Sequence, residues 1–334
     1  MIITRTPFRI SFFGGGTDYP AWYKENGGAV LSATIDKYCY ISVRYHPPFF
    51  PFKHRVVWSK IENVNSGDEI EHPSVRATLA HLCIEEGVEV HHSADLPARS
   101  GLGASSSFTV GLLRALYALR NKEISQKQLA LEAIHVEQNV IKENVGAQDQ
   151  TAAAFGGLNK ICFGGNDVVV VESVNLPEER KRALEDRLLL FFTGVARSAS
   201  DVAAEQIKNI PKKETELKAM RALVDEGEKI LKNSKSDIDD FGRLLHEGWQ
   251  IKRGFSSQIT NPFIDGVYKK GMSAGALGGK LLGAGAGGFM AFYVPPEKQD
   301  AVKSTLKEFL YVPIKFTNEG SRIIYNANQD TRLS

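Results

Sequence analysis

The chain has 334 residues, 43% hydrophobic and 24% charged, with a formal net charge of +2 at pH 7. That length holds two packed domains or one large one. The near-neutral balance excludes the basic stripe of a nucleic-acid binder and the cationic face of a membrane-surface protein. Cys39, Cys83 and Cys162 stand far apart with no CxxC pair, which excludes a disulfide framework and a zinc knot and suits a reducing compartment. Arg5 and Arg9 interrupt the first residues where a leader would be apolar, and no run approaches the roughly 18 apolar residues of a membrane span. The expectation is a cytoplasmic protein.

Taken in chain order, IITRTPFRISFF (2–13) alternates loosely between apolar and polar residues and breaks at Gly14–Gly16, which predicts a strand entering a tight loop. Val30, Leu31, Ile35, Tyr38, Tyr40, Ile41 and Val43 supply strand formers to the next segment. VEVHHSADLP (88–97) is a strand that Pro97 stops. A helix follows with Phe108, Leu112, Leu116 and Leu119 at helical spacing. Another begins at Ser125 in the capping-box form SQKQ, with Leu129, Ala133, Val136 and Val140 as its apolar stripe. DVVVVESV (167–174) reads as a strand, and the charged run 176–187 as a connection with a short helix. Helices then dominate 214–233, 237–255 and 263–277. A glycine-rich turn precedes the strand-like FMAFYV, followed by a helix from Glu297 and a short strand PIKFTN (313–318). Strands mixed with runs of helices predict an α+β fold in two domains, 1–175 and 188–334.

Three places carry chemistry. LPARSGLGASSSFTVGLLRAL (96–116) puts Ser105, Ser106 and Ser107 behind Gly101 and Gly103 at a helix start. A cap needs one serine; three behind two glycines favour an anion held by open amides and the helix dipole. Gly283, Gly285 and Gly288 formally match GxGxxG but precede their strand, which argues against a dinucleotide fold, and no GxxxxGK[ST] occurs. Asp149, between Gln148 and Gln150, is a general-base candidate if an arginine keeps it ionised. Glu137, twelve residues earlier, reads from position alone as a surface charge.

RTPFRISFFGGGTDYPAWY, PARSGLGASSSF and KLLGAGAGGFMAFYV, in that order, resemble the three signature motifs of the GHMP kinases, the family of galactokinase, homoserine kinase, mevalonate kinase and phosphomevalonate kinase. Within it, FGGGTDYP, GGAVLSATIDKY, GAQDQTAAAFGGLN and FFTGVARSAS resemble the branch acting on D-glycero-α-D-manno-heptose 7-phosphate, whose 1,7-bisphosphate product leads to GDP-heptose and surface polysaccharide. The resemblance implies a two-domain GHMP kinase fold with the active site in the interdomain cleft. It implies ATP as co-substrate and Mg²⁺ as cofactor, a sugar or sugar phosphate as partner, and allows a homodimer. It assigns Gly101, Leu102, Gly103, Ala104, Ser105 and Ser106 to the ATP phosphates, Ser105 and Glu137 to the metal, and Asp149 with Arg9 to catalysis. Gly15, Gly16, Thr17 and Asp18 fall on the sugar, the two glycines standing where galactokinases have glutamate and histidine. Gly283, Gly285 and Gly287 form the third motif. Arg197 and Lys252, and less so Arg253, are expected on a distal phosphate of the acceptor. The alternatives are another sugar (fucose-, galactose- or uronic-acid-like) or a non-catalytic regulator of the same fold.

Overall fold

The computed structural model describes residues 1–194, 199–285 and 287–327. β1 (Ile2–Phe13) is buried on both faces over its second half, because α3 (Ala104–Leu119) covers one side while α8 (Glu214–Lys232) and α9 (Asp239–Arg253) reach it from the other half of the chain. Phe12 and Phe13 both meet the Phe241 ring edge-on, at 5.3 and 5.0 Å between centroids. That aromatic contact fuses the two halves without a linker.

The first sheet has eight strands. β2 (Gly28–Tyr45) is long enough to carry two neighbours on one edge: β6 (Leu158–Gly164) pairs with Gly28–Ala33 and β5 (Val88–Ala94) with Cys39–Tyr45. β1 runs antiparallel along its other edge. β3 (His54–Val57) and β4 (Ile61–Val64) extend the β5 side, and β7 (Val168–Ser173) flanks β6. Helices α1 (Pro20–Asn26), α2 (Pro73–His81), α4 (Gln126–His135) and α5 (Gln148–Phe155) complete this half. α6 (Glu178–Glu185) is the short helix of the charged connection. The second sheet is four-stranded and wholly antiparallel, in the order β11 (Leu310–Val312), β8 (Leu188–Phe192), β10 (Phe289–Tyr293), β9 (Gly278–Leu281). With it go α7 (Ala199–Asn209), α10 (Pro262–Ser273) and α11 (Gln299–Thr305). No doubly wound sheet surrounds Gly283; the glycine turn joins an antiparallel pair.

Three expectations are corrected. β12 (Arg322–Asn326) lies inside the span read as the second domain, yet it pairs with β1, Ile2 opposite Asn326. Its residues are exposed, so backbone pairing holds it and no apolar pattern announces it. PIKFTN forms no strand; Phe316 makes a single bridge to Ile35, and the edge strand comes earlier, at β11. Val140 leaves the predicted stripe because Val136–Ile141 is a π-helical turn. The extra residue per turn rotates Val140 outward while Glu137 stays wholly buried. Ser125 does cap α4, accepting from the Gln128 amide at 3.2 Å, but the Gln128 side chain turns to Glu132, so only half the capping box forms.

Candidate active site

The question posed by the serine-rich stretch is settled by what each serine does. Gly101 and Gly103 adopt left-handed backbone, φ 85° and 78°, and α3 starts at Gly103 with no side chain capping its first turn. Ser106 Oγ donates to Glu137 Oε2 at 2.8 Å, Ser107 Oγ to the Pro7 carbonyl at 2.9 Å, and Ser105 is exposed. The first-turn amides therefore stay free for an anion. Leu102 is fully buried; it serves the loop through its carbonyl, which accepts from the Arg9 amide at 3.0 Å.

Below this loop sits the Arg9–Asp149 pair. Arg9 donates from Nε to Asp149 Oδ1 at 2.8 Å and from Nη2 to Oδ2 at 2.7 Å, and its Nη1 donates to the Gly101 carbonyl at 2.8 Å. Arg9 is buried on β1, whereas Asp149, in the first turn of α5, keeps a partly open side chain. A two-point guanidinium clamp fixes the carboxylate's plane. A Cβ on Gly103 would lie 3.4 Å from Asp149 Oδ2, so the base borders the anion loop directly.

Glu137 is the opposite case. Burial pushes its carboxyl up to about 7; the nearby Glu143 adds to the rise, and Thr109, Ser106 and Gln150 oppose it. Ser106 and Gln150 both donate to Oε2, while Oε1 is buried with no hydrogen-bond partner. A buried carboxylate oxygen without a hydrogen-bond donor is chemically suited to a cation. Among the described residues no cluster of three His, Cys, Asp or Glu could hold a metal by itself. This fits Mg²⁺, which takes one or two carboxylates and completes its shell with phosphate and water. The hydroxyl that meets Glu137 belongs to Ser106, one position beyond the expected Ser105; Ser105 stays at the cleft rim.

The sugar-side residues divide. Asp18 is buried, accepts from the Gly16 amide at 2.9 Å, and is raised in pKa chiefly by desolvation. A Cβ on Gly146 would lie 1.9 Å from Asp18 Oδ2, so only glycine fits against it. Gly15 and Gly16 line the cleft. Thr17 does not: its hydroxyl donates to the Gly14 and Ala29 carbonyls at 2.8 and 2.9 Å, locking the loop from inside. Lys252 reaches the cleft from α9 and donates to the Gly283 carbonyl at 2.6 Å. Burial, with Arg9 second, lowers its pKa to about 8. Arg253, its neighbour, pairs outward with Asp265 at 3.0 Å. Arg197 lies outside the described residues.

The third glycine motif is an interlock. A Cβ on Gly101 would come within 2.2 Å of the Leu282 carbonyl oxygen, one on Gly283 within 2.5 Å of Gly101 Cα, and one on Gly288 within 2.4 Å of the Ser100 carbonyl oxygen. Gly285 packs likewise on Ile259 and Gly287 is buried in the same turn, but Gly288, outside the motif assignment, is the glycine that joins Gly283 against the phosphate loop. The resulting cleft, about 180 Å³, is lined from both halves of the chain. It also holds residues that sequence reasoning missed: Ser11, Arg99, Glu143 and above all Lys280, which is buried and donates to the Phe12 carbonyl at 2.8 Å. Its only signal was its place as the first residue of the third motif.

Comparison with known proteins agrees with this geometry. The family described as GHMP kinases N terminal domain matches residues 73–157, and GHMP kinases C terminal matches 222–312. A D-glycero-alpha-D-manno-heptose 7-phosphate kinase from Campylobacter jejuni is 31% identical over 96% of this chain and 97% of its own length. A galactokinase from Pyrococcus furiosus is 25% identical over 92% of this chain and 94% of its own. Among solved structures, a D-glycero-D-manno-heptose 1-phosphate kinase from Bacteroides thetaiotaomicron superposes with a TM-score of 0.79, covering 98% of this chain and all of that one at 23% identity, which speaks for the fold. No helix of the described residues is long and apolar enough to cross a membrane. By its domain matches and its full-length relative, the chain belongs to the GHMP kinases.

Proposed function

We propose that the protein is an ATP-dependent sugar kinase that phosphorylates the anomeric hydroxyl of D-glycero-D-manno-heptose 7-phosphate, giving the 1,7-bisphosphate. One observation carries the kinase chemistry: Asp149, clamped at two points by buried Arg9, borders the uncapped start of α3. Phosphoryl transfer is largely positioning and charge neutralisation. The amides of Gly103 to Ser106 hold phosphate oxygens, and Arg9 keeps the Asp149 carboxylate aimed. Asp149 accepts the proton of the acceptor hydroxyl as its oxygen bonds to the γ-phosphorus, and the bond to the departing ADP oxygen breaks. Glu137 and Ser106 would hold the divalent cation, which supplies neutralising charge to the phosphates when bound. The heptose phosphate assignment draws on the Campylobacter relative. It is supported by Gly15, where a Cβ would point toward Lys252, Ser11 and Gln148 in the cleft and whose absence leaves that space open.

The test compares turnover of heptose 7-phosphate, free heptose, fucose and galactose at fixed Mg-ATP. Strong preference for heptose 7-phosphate, with a bisphosphate product, is expected. Equal or better rates with an unphosphorylated sugar would sink the substrate and leave the kinase standing; no ATP consumption with any sugar would favour a regulator.

A further inference from the structure

Gly15 marks one point in the cleft on which polar atoms from three elements converge. A Cβ built there would lie 3.9 Å from Lys252 Nζ of α9, 3.9 Å from Ser11 Oγ of β1, and 4.0 Å from Gln148 Nε2 of α5. Ser11 is buried, and its Oγ has no hydrogen-bond partner; neither has Gln148 Oε1. Lys280 lines the same cleft, and the charge of Lys252 acts on it. Each ammonium has three donors, and one is accounted for on each: Lys252 on the Gly283 carbonyl, Lys280 on that of Phe12.

The charge balance says what belongs there. Asp18 and Asp149 both act on Lys252, but Arg9 holds Asp149 at two points, and Asp18 is the carboxylate that acts on Lys280. Two desolvated ammonium groups held by neutral carbonyls are costly unless an anion joins them. None of the four residues comes from the phosphate loop at 101–106. Resting on the sugar-kinase reading, we propose that Ser11, Gln148, Lys252 and Lys280 form an anion seat beside Gly15 that receives a phosphate carried by the acceptor. The class of substrate is then an already phosphorylated sugar, and Gly15 is a specificity position because any side chain there fills the seat.

Phosphoryl oxygens also come with the nucleotide, so the experiment separates the two sources. The variants are Gly15→Ala, whose Cβ meets only ordinary contacts and has no positive φ to strain it, and Lys280→Met. Thermal unfolding checks that both fold. Calorimetric titration with heptose 7-phosphate measures acceptor binding without turnover; initial rates give KM for ATP and for free heptose. The proposal expects each variant to weaken heptose 7-phosphate about tenfold or more, the loss of one charge-assisted hydrogen bond. KM for ATP should stay within about twofold, and the loss for free heptose should be several-fold smaller than that for heptose 7-phosphate. A rise in KM for ATP, equal losses for phosphorylated and free heptose, or unchanged binding in Gly15→Ala would overturn it. Tight, variant-sensitive binding without turnover would instead remove the kinase reading and leave the seat.

Discussion

On the nucleotide wall of the cleft, α3 opens at Gly103 with bare amides, and the loop before it is shaped by two left-handed glycines. On the proposed acceptor wall, α9 brings buried Lys252 close to Gly15, and buried Lys280 of β9 and Asp18 line the same cleft. The first wall binds through the backbone, whose donors are the same whatever the side chains; its requirement is conformation. The second binds through side chains, so its requirement is identity. A family that keeps its co-substrate and changes its acceptor needs this division, and the departures at Gly15 and Gly16 fall on the second wall. Asp149 and Arg9 lie between the walls and serve both.

The largest effect should come from that shared pair. Asp149→Asn should lower kcat by about 10²–10⁴-fold, the usual worth of a general base, while KM for ATP stays level; near-normal turnover in a stopped ADP-release assay would reduce Asp149 to a positioning role. Next, Gly101→Ala tests whether the nucleotide wall is conformational. It strains φ 85° and drives a Cβ to 2.2 Å from the Leu282 carbonyl oxygen, so it should cost about 2 kcal/mol or more of stability and raise KM for ATP. Wild-type melting of that variant breaks the comparison.

Glu137→Gln sharpens it differently. A buried carboxyl raised from 4.5 to about 7 contributes stability that is present below the unfolded value and lost as pH rises through the folded one. The variant should abolish most turnover yet melt about 2 °C or more above wild type at pH 8 without nucleotide, with a smaller gain at pH 5. The smallest effect is the pH response of the acceptor wall. Lys252, lowered to about 8 by burial and by Arg9 against the pull of Asp18 and Asp149, and facing Lys280, loses its proton above that value. KM for the phosphosugar should therefore climb above pH 8 and stay flat below it. Lys252→Arg, which holds its proton throughout, should flatten the climb, and an unchanged profile would detach Lys252 from the acceptor.

What the sequence determined by itself is what is local. The glycine–serine opening of α3, the Arg9-bearing strand β1 and the Asp149 helix start are each written in a few adjacent residues, since amide exposure and strand or helix period depend on near neighbours. Tertiary structure decided which serine meets Glu137, because a π-turn sets the depth of that carboxylate and the exposure of Val140 with it. It turned Thr17 inward, and it returned β12 to the first sheet through backbone pairing that leaves no trace in side-chain pattern. It also assembled the acceptor wall: Lys280 and its Phe12 partner are 268 residues apart, and the atoms around Gly15 come from β1, α5 and α9. Side chains that meet only across such distances carry no shared spacing along the chain. Their convergence is fixed by how the two sheets pack on β1, where Phe12, Phe13 and Phe241 join the halves.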